Sequence, residues 1–174
     1  KPSLRTRASF QVGLKQMGGN CVYMHADEVG LGVRESIADV ARVLSGYVDC
    51  IVARVFEHKS LEELAAYAGV PVVNALSDWE HPCQIMADML TIQEHQGDLS
   101  GLKLAFIGDG NNVARSLCLG LPPMGVHFTI AGPQGYDLDE ASLSLARQRA
   151  GDDSIQVLTT SDPIVAVKDA DIVY

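Results

Sequence analysis

Short β-branched, apolar runs alternate with amphipathic stretches along the whole of this 174-residue chain, and no other feature limits the possible folds so strongly. Strands separated by helix-length segments cannot close as hairpins. They pair in parallel, with the intervening helices covering the sheet. The strand candidates are Cys21–Met24, Cys50–Val55, Pro71–Ala75, Lys103–Ile107, His127–Ala131, Ile155–Leu158 and Asp171–Tyr174. Helices are predicted over Ser9–Met17, Ser36–Ser45, Leu61–Ala68, Pro82–Gln96, Val113–Leu121, Glu140–Ala150 and Pro163–Val167. Ser60-Leu61-Glu62-Glu63 fits a capping box, and Pro163 after Asp162 suits a first helical position. Pro122-Pro123 predicts an early end for the helix before it. Gly97-Asp98-Leu99-Ser100-Gly101 follows the longest helix and precedes a fresh strand, so it reads as a linker between residues 1–97 and 98–174. The expected fold class is α/β in two lobes, each a parallel sheet flanked by helices, the second doubly wound and Rossmann-like.

A net charge of −9 and a pI near 4.8 argue against nucleic acid or an anionic membrane as the main partner. An acidic chain that binds an anion must gather its positive charge locally, which draws attention to arginine clusters. Cys21, Cys50, Cys83 and Cys118 are widely spaced without a Cys-x-x-Cys pair, a pattern of reduced thiols. No apolar run has the length of a membrane span, and no signal peptide is visible. A reducing compartment such as the cytosol follows as the expectation.

Ser3-Leu4-Arg5-Thr6-Arg7 places two hydroxyls and two guanidiniums ahead of an apolar, helix-like stretch. Arginine offers a planar fork of donors matched to phosphate oxygens, and a helix start would add free N–H groups and a positive dipole end. Arg54 closes the apolar run Ile51-Val52-Ala53. It either pairs with a carboxylate such as Glu57 or is delivered to the carboxyl edge of a parallel sheet, where open α/β sheets bind ligands. His81-Pro82-Cys83-Gln84 sets an imidazole and a carboxamide on one face of a helical turn, able to meet a carbonyl oxygen and an amide nitrogen. Cys83 within it reads as packing. Gly108-Asp109-Gly110-Asn111-Asn112 joins a strand to a helix with Gly-x-Gly-x-x-x-Ala spacing, and no acid ends the next strand, which argues against NAD. Its asparagines either bind an amino acid or cap the helix. Met17, Met24, Met86, Met89 and Met124 are expected in core or helix-packing positions. No metal-ligand spacing and no nucleophile–base pair is legible, so neither a metal nor a cofactor is expected.

Taken in order, these motifs resemble the transcarbamylase family, and its ornithine branch in particular. Lys1–Phe10 is similar to the family's carbamoyl-phosphate loop and helix, and Gly32-Val33-Arg34-Glu35-Ser36 to its mobile loop. Val52–Phe56 resembles its arginine strand, His81–Gln84 its His-Pro-x-Gln signature, and Gly108–Asn112 its Gly-Asp-Gly-Asn-Asn turn. The resemblance implies a carbamoyl-phosphate-binding domain at 1–97, lacking its first strand, and the N-terminal part of an ornithine-binding domain at 98–174. It implies that Ser3, Arg5 and Thr6, with the backbone at Leu4, hold phosphate, and that Arg54 bridges phosphate and carbonyl oxygen. Thr6 and His81 would polarise that oxygen, Gln84 would accept from the carbamoyl amide, and Asn112 would hold ornithine's backbone groups. The implied reaction moves the carbamoyl group from carbamoyl phosphate to the δ-amine of L-ornithine, giving citrulline and phosphate in arginine biosynthesis or the urea cycle. The implied assembly is a homotrimer or a multiple of it, in the cytoplasm or, in a eukaryote, the mitochondrial matrix.

The family's cross-subunit lysine or glutamine has no counterpart in Gly30-Leu31-Gly32-Val33-Arg34, which counts against the aspartate branch and leaves Arg34 as a substitute. A start at Lys1 inside a motif and a stop at Tyr174 inside an apolar run mark the chain, by expectation, as a fragment. The family's Asp-x-x-x-Ser-Met-Gly and His-Cys-Leu-Pro segments would lie beyond Tyr174, leaving the chain catalytically incomplete. The alternatives are carbamoylation of another amine, putrescine or acetylornithine, or a non-catalytic anion-binding fragment.

Overall fold

The structure is a computed structural model that describes residues 2–151 and 154–174; Lys1, the first residue of the leading motif, lies outside them. The chain forms two compact units, Lys1–Asp78 and Trp79–Tyr174. The α/β class and the parallel sheets are as expected.

In the first unit, helix α1 (Leu4–Gln16) is followed by a short α2 (Ala26–Val29) and by α3 (Ile37–Leu44). Strand β1 (Ile51–Arg54), helix α4 (His58–Tyr67) and strand β2 (Val72–Leu76) then make one βαβ unit whose strands pair in parallel. Its core joins Ala41 of α3, Ile51 of β1 and Leu64 of α4, with Ile37, Leu44 and Val72 packed around them. Helix α3 presents these positions at 3–4-residue spacing and is capped by Ser36, whose Oγ accepts from the Asp39 N–H at 3.1 Å.

Three expectations fail here for identifiable reasons. Cys21–Met24 is irregular backbone rather than a strand, and Val22, Tyr23 and Met24 are exposed, so no sheet face rewards extension there. The capping box at Ser60 does not form. Helix α4 starts earlier, at His58, because the Asp78 carboxylate accepts from the His58 N–H at 2.9 Å and does the cap's work from a distance in sequence. The methionines are mostly surface residues: Met17, Met24, Met86 and Met124 are exposed, and Met89 packs against the core.

The second unit starts with α5 (Pro82–Gln96), continues with β3 (Lys103–Ile107) and α6 (Asn112–Gly120), and passes a 3-10 turn at Pro122–Met124. Strand β4 (His127–Ala131), α7 (Glu140–Arg149), β5 (Val157–Thr160), α8 (Pro163–Val167) and β6 (Ile172–Val173) complete it. The sheet is parallel, in the order β5-β4-β3-β6. Leu104, Phe106, Phe128, Ile130 and Val157 of the strands meet Leu117, Leu121, Leu143 and Ala146, and Ile85 and Ile92 of α5 enter the same core. Burial of an apolar face thus ties α5 to this unit. That is why the packing boundary falls before the helix, whereas composition puts the linker after it, at Gly97–Gly101. Among the described residues no helix is long and apolar enough to cross a membrane.

Candidate functional site

In the first unit the helix start expected at Ser3–Arg7 is real and earlier than Ser9. Ser3 is extended and caps the 13-residue α1, its Oγ lying 3.4 Å from the Thr6 N–H. That contact is long, so the N–H groups of the first turn, Leu4 included, keep much of their donor capacity. Arg54 is the last residue of β1, where the register against β2 slips so that it lies opposite Leu76. Its Nη1 donates to Thr6 Oγ1 at 3.3 Å, across 48 residues of chain. Burial pulls the Arg54 pKa down from its ordinary value. The group stays charged, and a partly desolvated guanidinium attracts an anion through less solvent screening. Arg5 is exposed, with no ion pair to a described residue, whereas Arg7 stacks on Tyr23 at 4.2 Å and donates to Gln11 at 3.2 Å. Thr6, Arg54 and the helix start therefore converge, and Arg7 is occupied elsewhere. The edge beneath Arg54 is knitted by Asp78 N–H to Phe56 O (2.8 Å), and His58 Nδ1 lies 2.9 Å from Ser77 Oγ.

In the second unit His81 is the N-cap residue of α5 with Pro82 at the first helical position, as the motif predicts. Its backbone N–H donates to Ser116 Oγ of α6 at 2.8 Å. Gln84, one turn on, donates from Nε2 to Asp88 Oδ1 at 2.9 Å. Burial pushes the Asp88 carboxyl up, against hydrogen bonds from Gln84 and Tyr174 and the charge of His81. Burial likewise raises the Tyr174 hydroxyl, aided by Asp88, and raises the Cys83 thiol, which fits packing rather than reactivity.

The Gly108–Asn112 turn leaves the carboxyl end of β3, whose neighbours are β4 on one side and β6 on the other. The chain order reverses there, and open α/β sheets bind ligands at such a point. Gly110 is obligatory for packing, since a Cβ there would lie 2.6 Å from the Asp137 carbonyl. Asn111 is the cap of α6: its Oδ1 accepts from the N–H groups of Val113 (2.9 Å) and Ala114 (3.1 Å). The two readings of the asparagine pair thus divide, Asn111 capping and Asn112 standing at the first helical position.

Sequence reasoning missed Arg115, the buried cation of this unit. Its guanidinium lies 3.8 Å over the Trp79 ring, donates from Nη1 to Trp79 O at 2.9 Å, and pairs through Nη2 with Asp139 at 2.9 Å. Nε donates to Ser142 Oγ at 3.1 Å. Helix α6 therefore grips the Trp79–His81 segment twice, through Arg115 and Ser116. Asp88 was also missed, although Gln84-x-x-x-Asp88 is a readable i,i+4 spacing.

In this α/β fold an arginine at a parallel strand end is set against a hydroxyl in the first turn of a helix, an arrangement of donors suited to an anion. The second unit adds a glycine turn at the switch point of another parallel sheet. The family models named aspartate/ornithine carbamoyltransferase, carbamoyl-P binding domain, and aspartate/ornithine carbamoyltransferase, Asp/Orn binding domain, match residues 1–94 and 100–174. The chain belongs to the aspartate/ornithine carbamoyltransferase family. It is 51% identical over 174 residues to an ornithine carbamoyltransferase of Anoxybacillus flavithermus, covering all of this chain and 55% of that protein. The solved ornithine carbamoyltransferase of Pyrococcus furiosus superposes with a TM-score of 0.97 at 48% identity, over all of this chain and 56% of that one. That from Gloeobacter violaceus gives 0.91 at 46% identity, over all of this chain and 57% of that one. The chain spans about half the length of the curated relatives it matches.

Proposed function

We propose that the protein carrying this chain transfers the carbamoyl group of carbamoyl phosphate to the δ-amine of L-ornithine, giving citrulline and phosphate. The observation that carries the reading is the Arg54 Nη1–Thr6 Oγ1 contact at the N-terminus of α1, in a chain whose relatives are named ornithine carbamoyltransferases. Residues 1–97 form the carbamoyl-phosphate-binding domain and 98–174 part of the ornithine-binding domain.

Ser3, Arg5, Thr6 and the Leu4 N–H hold the phosphate, joined by Arg54, which also reaches the carbonyl oxygen. His81 and Thr6 polarise that oxygen, and the Gln84 carbonyl accepts from the carbamoyl NH2. Asn112 holds the backbone groups of ornithine. The neutral δ-amine attacks the carbonyl carbon, a C–N bond forms as negative charge grows on the carbonyl oxygen, and the C–O bond then breaks with its electron pair leaving on the phosphate, which takes up the proton that the amine loses. Catalysis on these terms is alignment of two substrates plus stabilisation of an oxyanion by fixed donors, with no covalent enzyme intermediate. The enzyme works as a cytoplasmic homotrimer, or in the mitochondrial matrix if its source is a eukaryote.

The test is product analysis with the whole gene product, carbamoyl phosphate, and ornithine, putrescine or N-acetylornithine in parallel. Citrulline as the preferred product supports the proposal. Preference for another amine, or carbamoyl-phosphate binding with no transfer to any, refutes it.

A further inference from the structure

Gln84 can serve a carbamoyl group in one orientation only, and the structure contains a device that selects it. A primary amide is donor at one end and acceptor at the other, and the two ends exchange by a half-turn about the last side-chain bond. The carbamoyl NH2 is a donor, so it needs the Gln84 carbonyl oxygen. An amide turned the other way would present a second NH2 and repel it. Gln84 and Asp88 lie four residues apart on α5, on one helix face, with Gln84 Nε2 2.9 Å from Asp88 Oδ1. Both side chains are half-buried, so water does not freely substitute for either partner. An ionised carboxylate only accepts, so the flipped amide would set oxygen against oxygen. No hydrogen bond among the described residues involves Gln84 Oε1, so the carbonyl end is the one left for a ligand.

We infer that Asp88 is a positioning residue: by accepting from the Gln84 amide it fixes the Gln84 carbonyl toward the ligand, and so sets selectivity for a carbamoyl over an acetyl group on the same phosphate. The inference rests on the role proposed above for Gln84. Acetyl phosphate is the discriminating probe, since it keeps the phosphate and carbonyl and puts a methyl group where carbamoyl phosphate has NH2.

The experiment compares the protein and its Asp88→Asn variant by titration with carbamoyl phosphate and with acetyl phosphate, and by the NMR signals of the Gln84 side-chain NH2 in the free protein. Asparagine keeps the shape but accepts or donates equally well, so the orientation is released. The expected result is a displaced Gln84 NH2 signal, a carbamoyl-phosphate affinity down about twofold because half of the amides then face the wrong way, and an unchanged acetyl-phosphate affinity. Asp88→Glu, which restores the acceptor, should recover part of the preference. An unmoved Gln84 signal overturns the inference whatever the titrations show. So does equal loss of both ligands, the mark of a merely structural role, and so does a carbamoyl preference undiminished in Asp88→Asn. If the unmodified protein itself binds the two phosphates equally, the reading of Gln84 fails and takes this inference with it, a result separable from the others because no variant is needed to see it.

Discussion

Replacing Arg115 by alanine should destabilise the protein by about 2–3 kcal/mol. The Trp79 carbonyl loses a 2.9 Å donor, worth about 1 kcal/mol at a half-buried site. The guanidinium at 3.8 Å over the indole adds about 0.5–1 kcal/mol. The ion pair with Asp139 is discounted to about 1 kcal/mol, because the Asp139 side chain is 38% exposed and solvent screens it, although Arg115 itself is 11% exposed. For a chain of this length the sum lowers Tm by about 5–10 °C. Arg115→Lys should recover less than half, since an ammonium cannot span Trp79, Asp139 and Ser142 together. Thermal unfolding followed by circular dichroism, repeated across pH, is the assay. Burial alone would raise the Asp139 carboxyl, but hydrogen bonds from Ser142 and Arg115 outweigh it and hold the group below the usual carboxylate range. Its folded value is thus lower than its unfolded one. The stabilisation is complete above the unfolded value of about 3.9 and is lost as pH falls from there through the folded value. The gap between parent and Arg115→Ala should therefore stay constant from neutral pH down to about 5 and narrow below about 4. A gap under about 0.5 kcal/mol at neutral pH, or one that widens in acid, refutes the reasoning.

Asn111→Ala removes the cap of α6 and should cost about 1 kcal/mol in a urea unfolding series, whereas Asn112→Ala, which leaves that cap in place, should cost less than Asn111→Ala and, in the whole gene product, weaken the ornithine step in steady-state kinetics. Similar unfolding losses for both would assign the pair to capping. In the folded protein Cys118, buried and pushed up to about 12, should resist a thiol reagent at pH 8 until denaturant is added, while exposed Cys50 reacts at once; fast labelling of Cys118 would contradict the packing of α6.

The second unit was the more legible in sequence. Strands β3 and β4 and helices α5 and α8 begin and end where pattern and punctuation place them, because each is a local signal: an apolar run between turn residues, or a proline at a helix start. Where the deciding contact was distant, local signals failed. Helix α4 is started by Asp78, twenty residues away, and not by the nearer Ser60. Cys21–Met24 has β-like composition but no sheet to join. Thr6 and Arg54 stood out because hydroxyls and arginines carry recognisable chemistry, and the structure sets them 3.3 Å apart; the His81-Pro82 helix start was legible because proline suits the first helical position. Arg115 was not, because a single arginine inside an apolar helix pattern shows its purpose only when Trp79 and Asp139 are brought to it. Arg7 looked equivalent to Arg5 until Tyr23 and Gln11 were seen to hold it.

The most direct test of the central claim, that this chain carries a site for a carbamoylated phosphate, is calorimetric titration with carbamoyl phosphate against inorganic phosphate, in the parent and in Arg54→Ala. Carbamoyl phosphate should bind more tightly than phosphate in the parent, and both should lose at least about tenfold in Arg54→Ala. Parent affinities that do not distinguish the two ligands, or an Arg54→Ala variant that binds as the parent does, would contradict it.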